Sequence, residues 1–146
     1  MAQTDFAGPL ASGDRLPGDP RGANVGLAVL SQTVLISRDA TLVQSATINL
    51  PVNSQIVTIA CDVLTAYDSA TSATLTVGTA AGGTQYASGV NAKTAGRTFP
   101  TFTAAQLASM DDIGATTAVV ATVTSVGQPT VGQVRVTVQY VQTVGI

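Results

Sequence analysis

A chain of 146 residues with net charge −2 and 10% charged side chains is long enough for one domain with its own core. It excludes an electrostatic nucleic-acid binder, which needs clustered Lys and Arg, and intrinsic disorder, which needs low hydrophobicity and high charge. There is no His, Glu or Trp, one Cys, one Lys and eight acids that are all Asp, against 22 Thr, 22 Ala and 19 Val. Groups for acid–base or metal chemistry are scarce, while β-branched residues that pack on a pleated surface abound. So few charges on an apolar chain predict a surface largely covered by other protein.

The first 24 residues are predicted to form an extended arm, because Gly8–Gly22 holds Pro9, Pro17 and Pro20 among four Gly and such density breaks regular structure. Phe6, Leu10 and Leu16 give this arm apolar anchors, and Arg15 and Arg21 give it charge. The pattern predicts that it orders against a neighbouring subunit or partner. A β-sandwich domain is expected over residues 25–146.

Period-two alternation marks the strands. Leu30, Val34 and Ile36 share a face, interrupted by Gln32. Leu42, Ala46, Ile48 and Leu50 share the next, closed by Pro51. Val57, Ile59, Cys61 and Val63 are assigned to one face of the third. Leu75 and Val77 alternate with Thr74 and Thr76. Val119, Ala121 and Val123 follow, then Val134, Val136, Val138 and Tyr140. Ala80–Gly83 reads as a hairpin turn, and 125–132 as a longer loop. Thr103 is a candidate cap for one helix over Ala104–Met110, with Leu107 and Met110 as its apolar pair and Gly114 beyond its end. Short strands, turns and one short helix predict an all-β antiparallel sandwich, jelly-roll-like in topology.

Residues that could carry chemistry are few. Cys61 lies in an apolar run and reads as a small buried hydrophobe. Asp111–Asp112 lacks the six to eight oxygens a Ca²⁺ site needs, so no metal and no cofactor are expected. Asp62 reads as a surface or interface group. Tyr67 and Asp68 share a loop that could meet a sugar, though Asp there more often makes an Asx-turn. With no His, a Ser nucleophile has no base, and no Gly-rich segment fits a phosphate cradle. Lys93 and Arg97 bracket a loop able to pair with an acidic partner surface. No ~20-residue apolar stretch is present for a membrane helix. Met1–Phe6 lacks the basic and apolar regions of a secretion signal, so folding in a cytoplasm is expected. The chain reads as non-enzymatic.

The strings Ser72–Thr79, Tyr86–Asn91, Lys93–Arg97 and Val134–Val141 resemble small β-sandwich structural proteins of tailed bacteriophages. The resemblance implies a virion protein, most like a capsid decoration (cement) protein that binds the outer shell. It implies the major capsid protein and copies of itself as partners, a trimer being favoured, with assembly in a bacterial host cytoplasm. It carries no catalytic residues. Other virion parts (tail-tube, head–tail joining or fibre-base protein) and a glycan-binding sandwich remain as alternatives.

Overall fold

The computed structural model describes residues 11–12, 26–111 and 117–142. A two-residue pair, β1 (Ala11–Ser12) with β2 (Gly26–Leu27), precedes the sandwich. Eight further strands follow: β3 (Val29–Ser37), β4 (Val43–Leu50), β5 (Ser54–Thr65), β6 (Ser72–Gly78), β7 (Ala87–Asn91), β8 (Gly96–Thr98), β9 (Thr117–Val126) and β10 (Gln133–Gln142). Helix α1 (Ala104–Met110) lies between β8 and β9.

The topology is a ribbon rolled on itself. Strands β3, β4, β5 and β6 pair antiparallel with β10, β9, β8 and β7 in turn. Rolling that ribbon brings β10 against β5 and β9 against β6. The result is two four-stranded sheets, β3-β10-β5-β8 and β4-β9-β6-β7. Every connection except β6–β7 leads from one sheet to the other, the jelly-roll-like winding expected from the sequence.

The core lies between the sheets. Val134, Val136 and Val138 of β10, Ile59 and Cys61 of β5, Leu75 and Val77 of β6, and Val123 of β9 are fully buried. Each belongs to the inward set of an alternating strand, as the pleat requires. Neither sheet could keep its apolar face in water alone, so packing them together is what stabilises both.

The sequence reading needs three corrections. Val57 does not share the face of Ile59. Tyr140 pairs with Ile56 and Gln139 with Thr58, so Val57 is the extra residue of a bulge. The bulge shifts the parity: Ile56 points inward, and Val57 is 51% exposed. Leu42 falls in the bend before β4 and is exposed, and Gln44 occupies the inward position next along. Helix α1 buries Gln106 and Met110 rather than Leu107, which is 54% exposed.

The buried Gln106 has a local cause. Thr103 Oγ1 accepts from Gln106 N, and Gln106 Oε1 accepts from Thr103 N, a reciprocal capping box. The amide of Gln106 then donates to Thr84 O at 3.1 Å. One side chain thus caps the helix and ties it to the β6–β7 loop, which a Leu at that place could not do.

Gly132 begins the approach to β10 at φ +156°, and a Cβ there would lie 2.5 Å from Cγ of Tyr67. The Tyr67 ring is itself buried, so it has no room to yield. Gly132→Ala is therefore expected to destabilise the fold by about 2–3 kcal/mol through overpacking. The check is the midpoint of thermal or urea unfolding against wild type; an unchanged midpoint contradicts this packing.

Candidate interaction surface

Four loops meet at one end of the sandwich: 38–42, 66–71, 92–95 and 127–132. They are cross-tied. Arg38 donates from its backbone N to Gly132 O and from Nε to Pro129 O, both at 2.8 Å. Gln128 donates to Ala40 O, and Tyr67 N to Ala92 O, both at 3.0 Å. Asp68 accepts from Thr130 N at 2.6 Å, from Val131 N at 3.2 Å and from the Thr130 hydroxyl.

The hydroxyl and amides that converge on Asp68 stabilise its charged form and hold its carboxyl down to about 2. This group reaches across to a different loop rather than closing an Asx-turn on its own backbone. Tyr67 beside it is 1% exposed, so its ring faces the core and offers no platform for a sugar. Lys93 donates from Nζ to Ser69 O at 2.7 Å and to Thr71 O at 3.5 Å. Two carbonyls of the 66–71 loop thus hold its ammonium at this end.

Arg97 sits elsewhere, on the outer face of the β3-β10-β5-β8 sheet. Register places Leu35, Arg135, Asp62 and Arg97 side by side, one from each strand. Arg97 Nε reaches Asp62 Oδ1 at 2.5 Å, and Arg135 Nη2 reaches Asp62 Oδ2 at 3.0 Å. The two guanidiniums cover the carboxylate, which leaves Asp62 only 7% exposed although it points away from the core. Hydrogen bonding from Arg97 foremost holds the Asp62 carboxyl below its usual range, against the opposing effect of burial. Sequence reasoning named Arg97 and Asp62 singly and missed Arg135. The available signal was three isolated charges, each inside a strand on the outward parity.

Cys61, next to Asp62, points the other way and is fully buried. Burial, followed by the neighbouring Asp62 charge, pushes its thiol up to about 12. Asp111 accepts from Gln55 Nε2 at 2.9 Å. Among the described residues no cluster of three His, Cys, Asp or Glu could hold a metal ion, and no helix is long and apolar enough to cross a membrane. Phe6, Leu10, Arg15, Leu16, Arg21, Asp112 and Gly114 lie outside the described residues.

No family model matches the chain, and no curated protein matches it. Among solved structures, it is similar to a chain of the cyanophage Pam1 capsid asymmetric unit, with a TM-score of 0.55 and 25% identity. The likeness covers 89% of this chain and 94% of that one. It supports a structural protein of a phage virion.

Two outcomes follow from this geometry. Asp68 is depressed in the folded state, so its contribution is complete above the usual carboxylate value of 3.8 and is lost as pH falls towards about 2. Stability should drop across that window, and Asp68→Asn should flatten that part of the profile while lowering stability at neutral pH; acid titration of the unfolding midpoint checks both. Cys61 should stay unlabelled by a maleimide at pH 7 until the protein is unfolded, as mass spectrometry with and without denaturant will show.

Proposed function

We propose that this protein decorates the outside of a phage capsid and stabilises the shell, without catalysis. The observation that carries the reading is the likeness, over 89% of this chain, to a chain of a capsid asymmetric unit. The chemistry agrees. The described charges Asp39, Asp62 and Asp68 are satisfied within the protein, and among the described residues no nucleophile is aligned with a base. What remains on offer is surface. The partners in this reading are the major capsid protein and other copies of the chain.

A trimer is the favoured state in this reading, and the sheet edges support self-association as such. Edge strands β7 and β8 are short, and Gly89 in β7 takes φ +73° at an irregular stretch of its pairing. The opposite edges, β3 and β4, run nine and eight residues with no charge, Pro or Gly. Long uncharged edges invite pairing with another chain. The arm of residues 1–24 is proposed to add anchors through Phe6, Leu10 and Leu16, with Arg15 and Arg21 meeting carboxylates. Arg97, and Lys93 at the loop end, are assigned the same role on the domain.

The test is addition of purified protein to shells lacking it, followed by electron microscopy and heating. Wild type should occupy the shell exterior and raise its disruption temperature; absence of binding defeats the reading. Deleting residues 1–24 should leave the sandwich folded by circular dichroism yet weaken attachment at least tenfold. A truncated protein that binds at full occupancy shows that the arm plays no part.

A further inference from the structure

The outer face of the β3-β10-β5-β8 sheet is unlike the outside of an ordinary half-buried sheet. Five large apolar side chains stand on or beside it: Val29, Leu35, Val57, Leu64 and Phe99, each between 46% and 59% exposed. Val29 and Leu35 are on the outward parity of β3. Phe99 follows β8 two residues beyond the outward-facing Arg97.

Leu64 follows the same alternation after inward Val63, but Val57 reaches this face for a different reason. Strand β5 shifts register against β10 twice, once opposite Gln139/Tyr140 and once opposite Gln133/Val134. Each shift adds one residue to β5, Val57 in the first case and Leu64 in the second. Both are apolar, and both are turned outward while Ile56, Ile59, Cys61 and Val63 stay inside. A bulge re-aims a side chain. Here the bulge turns outward Val57, which a regular pleat counted from Ile59 would place inside, and alternation adds Leu64, so β5 shows solvent two hydrophobic side chains that the core does not need.

The charges of the face add a second constraint. Arg97 and Arg135 flank Asp62, so two guanidiniums meet one carboxylate and the row carries one surplus positive charge. Their side chains are 57% and 42% exposed, while that of Asp62 is 10% exposed. On a chain of net charge −2, the remainder therefore totals −3. The other outward strand residues of the face are Ser, Thr, Gln, Ala and Val, none of them charged. Three strands of about nine residues and the three-residue β8 span roughly 500 Å², more than half of the ~800 Å² each partner gives to a standard interface.

We propose that this face is the surface that seats on the shell, and that the shell presents there an apolar patch with an unpaired carboxylate. This rests on the decoration reading above and names the face it uses. A second copy is the poorer occupant. Two such faces opposed would set four guanidiniums against two carboxylates. Among the other described acids, Asp39 Oδ1 and both Asp68 oxygens already accept from Thr41, Gln44, Thr130 and Val131, and Asp111 accepts from Gln55, at the far end of the face from the row. Arg with apolar neighbours is the composition of an interface centre.

Cysteine scanning tests it on the full chain, since buried Cys61 gives no background. Leu35→Cys, Thr137→Cys and Leu64→Cys report on this face. Val43→Cys and Thr47→Cys report on the outer side of the other sheet. In free protein, maleimide should label all five; on shells, the first three should slow at least tenfold and the last two should not. In parallel, Leu35→Glu with Leu64→Glu should keep the wild-type melting profile and lose at least tenfold in shell binding, and Val43→Glu should bind normally. Three results overturn the proposal: equal labelling on and off shells, protection of the first three already in free protein, or wild-type binding by the double Glu variant. If wild type itself fails to bind shells, the decoration reading falls first, and that outcome is distinct from wild type binding through another face.

Discussion

The fold depends on strand β10 entering between β3 and β5. It pairs along its whole length with both neighbours and supplies Val134, Val136 and Val138, none of which retains exposure. Its partners come from the beginning of the domain; Thr137 and Thr33, whose hydroxyls lie 2.9 Å apart, are 104 residues apart in sequence. No part of the first sheet is complete until the last strand arrives. Loop closure on that scale is entropically costly, so topology of this kind favours slow folding and a late, cooperative core.

Once rolled, the ribbon is held at its loop end by polar ties rather than by apolar burial. Asp68, Arg38, Lys93 and Gln128 each join two loops, and Gly132 lets the chain pass against the Tyr67 ring. These groups are used up internally. In the Arg97–Asp62–Arg135 row the carboxylate, the one Asp in a strand among the described residues, is sealed by two cations, which leaves one positive charge over. A protein with few charges has thus committed most of the described ones to its own structure. The exposed remainder is mostly Thr, Ser, Gln and large apolar side chains, a surface suited to lasting contact with protein rather than to steering a charged ligand.

That division of labour ties structure to the proposed role. A shell-stabilising protein gains nothing from a reactive centre; it gains from rigid faces of fixed shape. Pairing across both sheets and the tied loops supply rigidity, and rigid surfaces avoid ordering costs on binding. The bulge of β5 at Val57 then adjusts what the rigid face presents without disturbing the core behind it.

Local pattern and composition were enough to read the fold class. Period-two runs of Val, Ile and Leu against Thr and Ser could only be half-buried strands, and the lack of His and Glu removed most acid–base chemistry on composition alone. Local pattern also located the cap at Thr103 and the buried thiol at Cys61. The tertiary structure alone decided where the parity breaks. A bulge is defined by the partner strand, so nothing in Gln55-Ile56-Val57-Thr58 announces that Val57 turns outward. The same is true of Leu107, exposed because Gln106 finds Thr84 O in a distant loop. Asp62, Arg97 and Arg135 likewise meet only through pairing of β5 with β8 and β10, across separations that local pattern does not encode. Side-chain direction within a strand is local physics and is legible; which strand lies alongside is a long-range choice, made by the packing of the whole core.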